Sequence, residues 1–126
     1  MVKLIDVYPD VNPSDPTMNG HDLMVANDVV RARFRNSFER PEAVVPGKVE
    51  EYVVDLHTQD YKFRRGHRIM VQVQSSWFPL IDRNPQTFVP NIFFAAPGDY
   101  VKSTQRIHHA PGAASFVELP VVPAAR

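Results

Sequence analysis

The most regular alternation of apolar and polar residues lies between residues 66 and 74, where the sequence reads GHRIMVQVQ. In an extended chain, Ile69, Val71 and Val73 point to one side, and the glutamines among them point to the other. A period of two residues is typical of a half-buried β-strand. This segment therefore predicts a strand with one side packed against a core.

Several other segments show the same alternation, and together they predict about six strands. Residues 28–35 place Val30, Ala32 and Phe34 on the inner side and three arginines on the outer side. Glu50, Glu51 and the acidic residues of neighbouring strands could pair with these arginines across the sheet. No long segment has the period of an amphipathic helix. The remaining predicted strands cover residues 2–8, 49–56, 103–108 and 115–119.

Proline separates these segments from one another. The chain has 12 prolines among 126 residues, about twice the usual share of ~5%. All of them lie outside the predicted strands, where the missing amide hydrogen does not interrupt a ladder. Short strands with rigid connections predict an all-β sandwich or barrel. Because no linker divides the sequence, we expect a single domain over residues 1–126.

Charge and cysteine content argue against several classes of function. The formal net charge is zero, unlike the basic surfaces that bind nucleic acids or anionic membranes. The absence of cysteine excludes disulfides and thiolate metal sites. The sequence has no apolar run of the ~18 residues that span a membrane, and its first residues do not resemble a signal peptide. We expect a cytoplasmic location and no nucleic-acid or membrane partner.

The residues that could carry out catalysis lack the required spacing. None of the serines stands in the G-x-S-x-G arrangement that presents a nucleophile on a strained turn. His108 and His109 are adjacent, so in a strand their rings point to opposite faces. The other histidines lack the spacing of metal ligands. We therefore predict no catalytic residue, no metal site and no other cofactor in this chain.

The loop after residue 74 contains the candidate contact residues. The sequence Asp-Arg-Asn-Pro at residues 82–85 indicates a hydrogen-bonded turn, because Asp and Asn cap backbone amides and proline restricts the residue before it. Aromatic residues on a loop at the rim of a sandwich can line a binding surface or dock another domain. The candidate substrate- or domain-contacting residues are Trp77, Phe78, Asp82 and Arg83.

Several segments, in order along nearly the whole chain, resemble one protein family, the C-terminal domain of the CocE/NonD hydrolases. This group includes the X-Pro dipeptidyl-peptidases and the α-amino-acid ester hydrolases. The segments that carry the resemblance are VKLIDVYPD at 2–10, VVRARFR at 29–35, PGKVEEYVVDL at 46–56, F-x-x-GHRI-x-V-x-V-x-SS-x-FP-x-x-DRNP at 63–85, and IHH-x-P…S-x-V-x-LPV at 107–121.

The resemblance implies a jelly-roll β-sandwich of the galactose-binding type. In such proteins this domain follows an α/β-hydrolase domain that carries a Ser-Asp-His triad, packs on it and helps to wall its substrate site. The implied parent is a serine hydrolase that cleaves esters or amides, such as X-Pro peptides. The present chain would be its non-catalytic accessory domain, and Trp77 or Phe78 would belong to the pocket wall.

Two departures from the family pattern lead to further expectations. The sequence contains no triad domain, and it starts after the first strands of the family's jelly roll. A jelly roll has about eight strands, whereas the pattern here predicts about six. Missing strands leave open sheet edges that can pair with another chain. We therefore expect self-association through these edges.

Two alternatives stay open at the level of the sequence. The first is a free-standing carbohydrate-binding-like module built on the same sandwich. It needs an exposed, flat aromatic surface, for which Trp77 is the candidate. The second is an esterase in its own right, which turnover of a p-nitrophenyl ester by the purified chain would reveal.

Overall fold

Three strands form the regular part of this computed structural model, which describes residues 1–123 of the chain. They are β1 (Val2–Val7), β2 (Asp22–Asp28) and β3 (Arg68–Val73). The sheet order is β2-β1-β3, and β1 pairs with both neighbours in the antiparallel direction. The first strand along the chain is therefore the central strand of the sheet.

The predicted strands at residues 2–8 and 66–74 are confirmed by β1 and β3. β1 is rich in Val and Ile, which favour a pleated backbone, and Pro9 stands just beyond its end. In the β1–β3 register, Leu4 faces Val71 and Asp6 faces Ile69. Because paired residues share a face of the sheet, Asp6 lies among apolar neighbours.

A β-bulge marks the pairing of β1 with β2. The register shifts between Leu4 and Ile5, whose partners are Ala26 and Met24. Val25 is therefore the extra residue of the bulge, and such an insertion increases the local twist of a strand. The sequence did not predict β2, because its alternation of apolar and polar residues is poor.

Within residues 1–123, helical structure is limited to four short 3₁₀ helices, each of three residues. Together with the antiparallel sheet, this confirms the predicted all-β class. Within residues 1–123, no helix has the length and apolar character that a membrane crossing requires. The four 3₁₀ helices are Pro16–Met18, Ala32–Phe34, Ile92–Phe94 and Pro97–Asp99.

The predicted strand at residues 28–35 is wrong. β2 ends at Asp28, and the 3₁₀ helix Ala32–Phe34 follows. There the backbone N–H of Phe34 donates to the carbonyl oxygen of Arg31 over 2.8 Å. A bond between residues three apart closes a turn and is incompatible with an extended strand.

The side chains of two arginines account for this difference. Arg33 donates to the carbonyl oxygen of Val89 over 2.6 Å. Arg35 has a side chain that is only 8% exposed, and it forms an ion pair with Glu50. A strand would point both guanidinium groups to solvent, whereas the turn gives them charge-assisted partners. Arg35 therefore does pair with Glu50, but not across a sheet as the sequence predicted, because neither residue lies in a strand.

The predicted strands at residues 49–56, 103–108 and 115–119 are not formed. Alternation shows which side chains could share a face, but a strand also needs a neighbour that satisfies its backbone N–H and C=O groups. Within residues 1–123 these segments have no ladder partner. One backbone bond, from the N–H of Ser115 to the carbonyl oxygen of His108 at 2.8 Å, joins the last two segments.

The buried core is small and lies on both sides of β1. Leu4 and Ile5 of β1, Ala26 of β2 and Val89 from the later loop are its apolar members. Asp6 is also completely buried, and its partners are described below. Apolar burial near the centre of the sheet is what holds the three strands together.

The apolar side of β3 is exposed, against the sequence prediction. Ile69, Val71 and Val73 retain 52%, 42% and 48% of their accessible surface. They share a face with Leu4 of β1, so they extend a buried centre into an uncovered apolar strip.

Candidate functional site: the 77–86 loop and its polar cavity

The loop that follows β3, residues 77–86, contains all four candidate contact residues. The backbone N–H of Ile81 donates to the carbonyl oxygen of Trp77 over 2.9 Å and closes a tight turn. This turn places Phe78 at its outer side, where the ring is 62% exposed. The geometry therefore presents an aromatic side chain to solvent, as a contact residue requires.

Trp77 is half-buried beside β1. The ammonium group of Lys3 lies 4.6 Å from the centre of the indole ring, a cation–π contact that occupies one face of the ring. Sugar-binding aromatic platforms are flat and open, and Trp77 does not provide such a surface here. No observation on this chain favours the carbohydrate-binding alternative.

Arg83 forms cation–π contacts with two aromatic rings. Its guanidinium carbon lies 5.5 Å from the ring centre of Phe78 and 5.0 Å from that of Tyr100. Contacts of this kind use none of the N–H donors of the guanidinium. Arg83 and Phe78 are themselves exposed.

In the predicted turn at residues 82–85, Asn84 caps a backbone amide as expected, but this amide belongs to Gln86, one residue beyond the predicted turn. The side-chain oxygen of Asn84 accepts a hydrogen bond of 3.1 Å from the backbone N–H of Gln86. Gln86 adopts a φ of 64°, a left-handed conformation that residues other than glycine rarely adopt. Pro85 is fully buried, and its carbonyl oxygen accepts from the backbone N–H of Val101 over 3.0 Å. This bond holds residues 101–103 against the turn.

A polar cavity, which we call the Arg83 cavity, lies between the turn and residues 101–103. Its volume is about 320 Å³. It is lined by two cationic side chains, three hydroxyls, two amides and one valine, and by no carboxylate: Arg83, Lys102, Ser75, Ser76, Ser103, Asn84, Gln86 and Val101. Residues 101–103 form one side of this open cavity, and of these only Ser103 belonged to a predicted strand.

Asp82 lines a different and smaller cavity, of about 50 Å³. Met1, Arg31 and Trp77 are among its other lining residues. The structure therefore brings the four candidate residues to one loop but divides them between two places. Trp77 and Asp82 adjoin the small cavity, whereas Phe78 and Arg83 contact each other beside the larger one.

A buried polar cluster of Asp6, His67 and Tyr61 was not predicted from the sequence. The two carboxylate oxygens of Asp6 lie 3.0 and 2.9 Å from Nδ1 of His67. The hydroxyl of Tyr61 donates to the second of these oxygens over 2.6 Å. The ring of Tyr8 packs 4.3 Å from the ring of His67, centre to centre. A buried carboxylate is stable only with such partners.

The electrostatics of this cluster are most evident at Tyr61. Burial, together with its hydrogen bond to Asp6, raises the pKa of the Tyr61 hydroxyl well above its ordinary value of 10.0. One signal in the sequence could have revealed the cluster, because Asp6 stands on the same side of β1 as Val2 and Leu4. A carboxylate on the apolar side of a strand requires a buried partner.

The histidines and acidic residues form no metal site in the part of the chain that the structure describes. Two acidic side chains flank the exposed His57: Nε2 lies 3.2 Å from Asp28 and Nδ1 lies 3.9 Å from Asp55. Three ligands that converge on one point are the minimum for a stable site, and His57 has two carboxylates on different ring nitrogens. This group lies exposed at the end of β2.

An all-β chain with an exposed contact loop and an uncovered sheet face has the features of an accessory domain, and comparison with known proteins identifies the kind. The family model described as X-Pro dipeptidyl-peptidase C-terminal non-catalytic domain matches residues 1–118. The chain therefore belongs to this family of non-catalytic C-terminal domains, as the resemblance of its sequence predicted.

Three relatives illustrate the similarity. Cocaine esterase of Rhodococcus sp. (strain MB1 Bresler) is 33% identical over 120 residues, which cover 95% of this chain and 19% of that protein. An aminopeptidase from the marine sediment archaeon Thaumarchaeota archaeon is 55% identical in sequence, and its crystal structure matches with a TM-score of 0.74. A selenomethionine-labelled α-amino acid ester hydrolase is 53% identical, with a TM-score of 0.76.

The chain corresponds to only a small part of these proteins. Each of the two structural matches covers 79% of this chain and 16% of the other chain. The region similar to this chain is thus one domain within a much longer polypeptide in all three relatives.

Proposed function

We propose that this chain serves as the C-terminal β-sandwich of a serine hydrolase that cleaves esters or amides. In this role it packs on an α/β-hydrolase domain and shapes that domain's substrate site, and it supplies no catalytic group. The relatives described as an esterase, an ester hydrolase and an aminopeptidase support this class of reaction. The chemistry itself, acyl transfer through an activated serine and an oxyanion hole, belongs to the other domain.

The observation that carries the proposal is the exposed apolar strip of Ile69, Val71 and Val73. Exposure of three β-branched residues on one strand costs stability, because about 25 cal/mol is lost for each Å² of apolar surface left in water. A second sheet, packed face to face as in a jelly roll, would bury this strip. The rest of a longer polypeptide is the natural source of that sheet.

We assign to the 77–86 loop the contacts with the hydrolase domain and with the substrate of that domain. Phe78 is exposed, Arg83 lies beside its ring, and Trp77 and Asp82 adjoin the neighbouring small cavity. A loop with an exposed aromatic tip and polar side chains suits a pocket wall, where apolar contact and a few polar groups orient a ligand.

The experiment uses the complete reading frame that encodes this chain. Hydrolysis of p-nitrophenyl butyrate and of an X-Pro p-nitroanilide is measured for the complete polypeptide and for the 126-residue chain by itself. We expect turnover by the former and none by the latter. Turnover by the isolated chain that a serine-directed inhibitor abolishes would contradict the proposal, and so would a reading frame without a G-x-S-x-G segment.

The contact role of the loop is tested with a matched pair of substitutions in the complete polypeptide. Phe78→Ala is expected to raise KM for the hydrolysed substrate several-fold. Phe38→Ala changes a residue that is 85% exposed and lies outside the 77–86 loop, and it should leave KM unchanged. Equal effects of the two substitutions would rule out the role assigned to Phe78.

A further inference from the structure

Two positively charged side chains line the Arg83 cavity. The position of the cavity next to the 77–86 loop does not by itself explain them. We propose that the cavity is a binding site for the carboxylate group of a small organic acid. The site is formed by residues of this chain alone, so the proposal does not depend on the hydrolase role. It goes beyond that role by assigning a ligand to this domain.

Charge is the first argument. Arg83 and Lys102 both line the cavity, and no acidic side chain does. Within residues 1–123, neither of these two side chains takes part in an ion pair. Two uncompensated positive charges on one cavity favour an anion.

The guanidinium of Arg83 lies close to two aromatic rings. The ring centres of Phe78 and Tyr100 are 5.5 and 5.0 Å from its central carbon. A cation–π contact uses no N–H donor, so these donors remain for a ligand. The N–H groups of a guanidinium match the two oxygens of a carboxylate in a paired, coplanar arrangement.

Neutral donors complete the site. The amide Nε2 of Gln105 donates to the hydroxyl oxygen of Ser103 over 2.9 Å. Because this oxygen already accepts a hydrogen bond, the Ser103 hydroxyl hydrogen is available to donate into the cavity. Ser75 and Ser76, at the end of β3, add two further hydroxyl donors to the lining.

The walls of the cavity are held in place before any ligand binds. The left-handed conformation of Gln86, with φ of 64°, persists because Asn84 and the buried Pro85 hold the turn. Conformations of this kind concentrate at ligand sites. A volume of about 320 Å³ lies at the small end of ligand pockets. It suits a compact acid rather than an extended molecule.

The test is an NMR titration of the 126-residue chain with propionate at constant ionic strength. Propionamide, which has the same shape without the charge, is the matched control ligand. We expect saturable shifts with propionate at the backbone amides of Ser75, Ser76, Arg83 and Ser103, and no saturable shift with propionamide. Absence of saturation with propionate, or equal binding of both compounds, would overturn the proposal.

Substitutions assign the binding to the cavity. Arg83→Gln is expected to raise the dissociation constant for propionate at least tenfold, and Arg83→Lys to restore only part of the loss. Arg65→Gln makes the same change at an exposed arginine outside the cavity and should have no effect. If Arg83→Gln no longer gives the dispersed NMR spectrum of a folded chain, Lys102→Gln is tested in its place, because Lys102 is exposed and lines the same cavity. Unchanged propionate binding in the folded variant would refute the site.

Inorganic phosphate distinguishes the class of anion. At the same ionic strength, phosphate should shift these amides more weakly than propionate does. A lower dissociation constant for phosphate than for propionate would replace the carboxylate assignment with a phosphate site and so overturn the proposal.

Discussion

The carboxylate of Asp6 lies 2.9 Å from Nδ1 of His67, although 61 residues separate the two in the sequence. The same carboxylate accepts a hydrogen bond from Tyr61. These contacts join the central strand to the segment that leads into β3. The cluster therefore links the two strands by side chains as well as by the backbone ladder.

Replacement of Asp6 by alanine should destabilise the chain strongly. Asp6 is fully buried, and the side chain of His67 is 7% exposed, so the substitution leaves a buried imidazole and a buried hydroxyl without their acceptor. Removal of one partner of a buried pair costs about 3–5 kcal/mol. Urea unfolding followed by circular dichroism measures the loss. Asp22→Ala, at an exposed position of β2, is the control and should change stability by less than about 0.5 kcal/mol.

The stability of the chain should fall at high pH because of Tyr61. Burial and the hydrogen bond to Asp6 raise the pKa of its hydroxyl above 10.0, so the native state keeps a proton that the unfolded state releases. The contribution of Tyr61 is complete below pH 10 and is lost as the pH rises above it. The loss of unfolding free energy between pH 8 and pH 11 should be larger in the wild type than in Tyr61→Phe. Tyr52→Phe, at an exposed position, should behave as the wild type does; equal pH dependence in all three would contradict this prediction.

Glu50 should make the chain sensitive to acid. A hydrogen bond from Lys48 and the charge of Arg35 lower the pKa of the Glu50 carboxyl below 4.5, although burial opposes this shift. A depressed pKa stabilises the native state above the ordinary value, and this contribution is lost as the pH falls through the native pKa. Between pH 7 and pH 3, Glu50→Gln should therefore lose less stability than the wild type. Glu51→Gln changes an exposed neighbour and should follow the wild type; a wild-type acid response in Glu50→Gln would disprove the role of this residue.

The isolated chain should associate with itself. β2 and β3 are the outer strands of the sheet, and the face of β3 is apolar and exposed. Open edges and uncovered apolar faces both promote pairing of chains. Light scattering at high concentration should give a mass above that of the monomer, and Val71→Lys should reduce it. Val53→Lys, at an exposed residue outside the sheet, is the control. A monomer at every concentration would exclude this association.

Some of this structure was predictable from short segments and some was not. β1 and β3 were predictable because their alternation is strong and each finds a partner in the other. Residues 28–35 alternate equally well, but Arg33 and Arg35 bind distant groups, and the segment turns instead. The period of apolar residues indicates which side chains can share a face. It does not indicate whether a neighbouring strand is present to form the backbone hydrogen bonds.

The candidate site shows the same division. The turn at residues 82–85 follows from Asn and Pro, and its hydrogen bond is local. The Arg83 cavity is not a local feature, because residues 101–103 reach it through the backbone bond between Val101 and Pro85. The Asp6–His67 contact likewise spans most of the sheet-forming region. No short pattern in the sequence encodes either of these contacts.

The sequence by itself determined the all-β class, two of the three strands, the turn in the 77–86 loop and the family. These depend on local backbone preferences and on residue order, which the chain carries in each short segment. Only the tertiary structure decided that the apolar side of β3 is uncovered, that Arg83 and Lys102 share a cavity without a carboxylate, and that Asp6 is buried against His67. Those features depend on which distant segments come into contact. Packing and electrostatics across the whole fold determine these contacts.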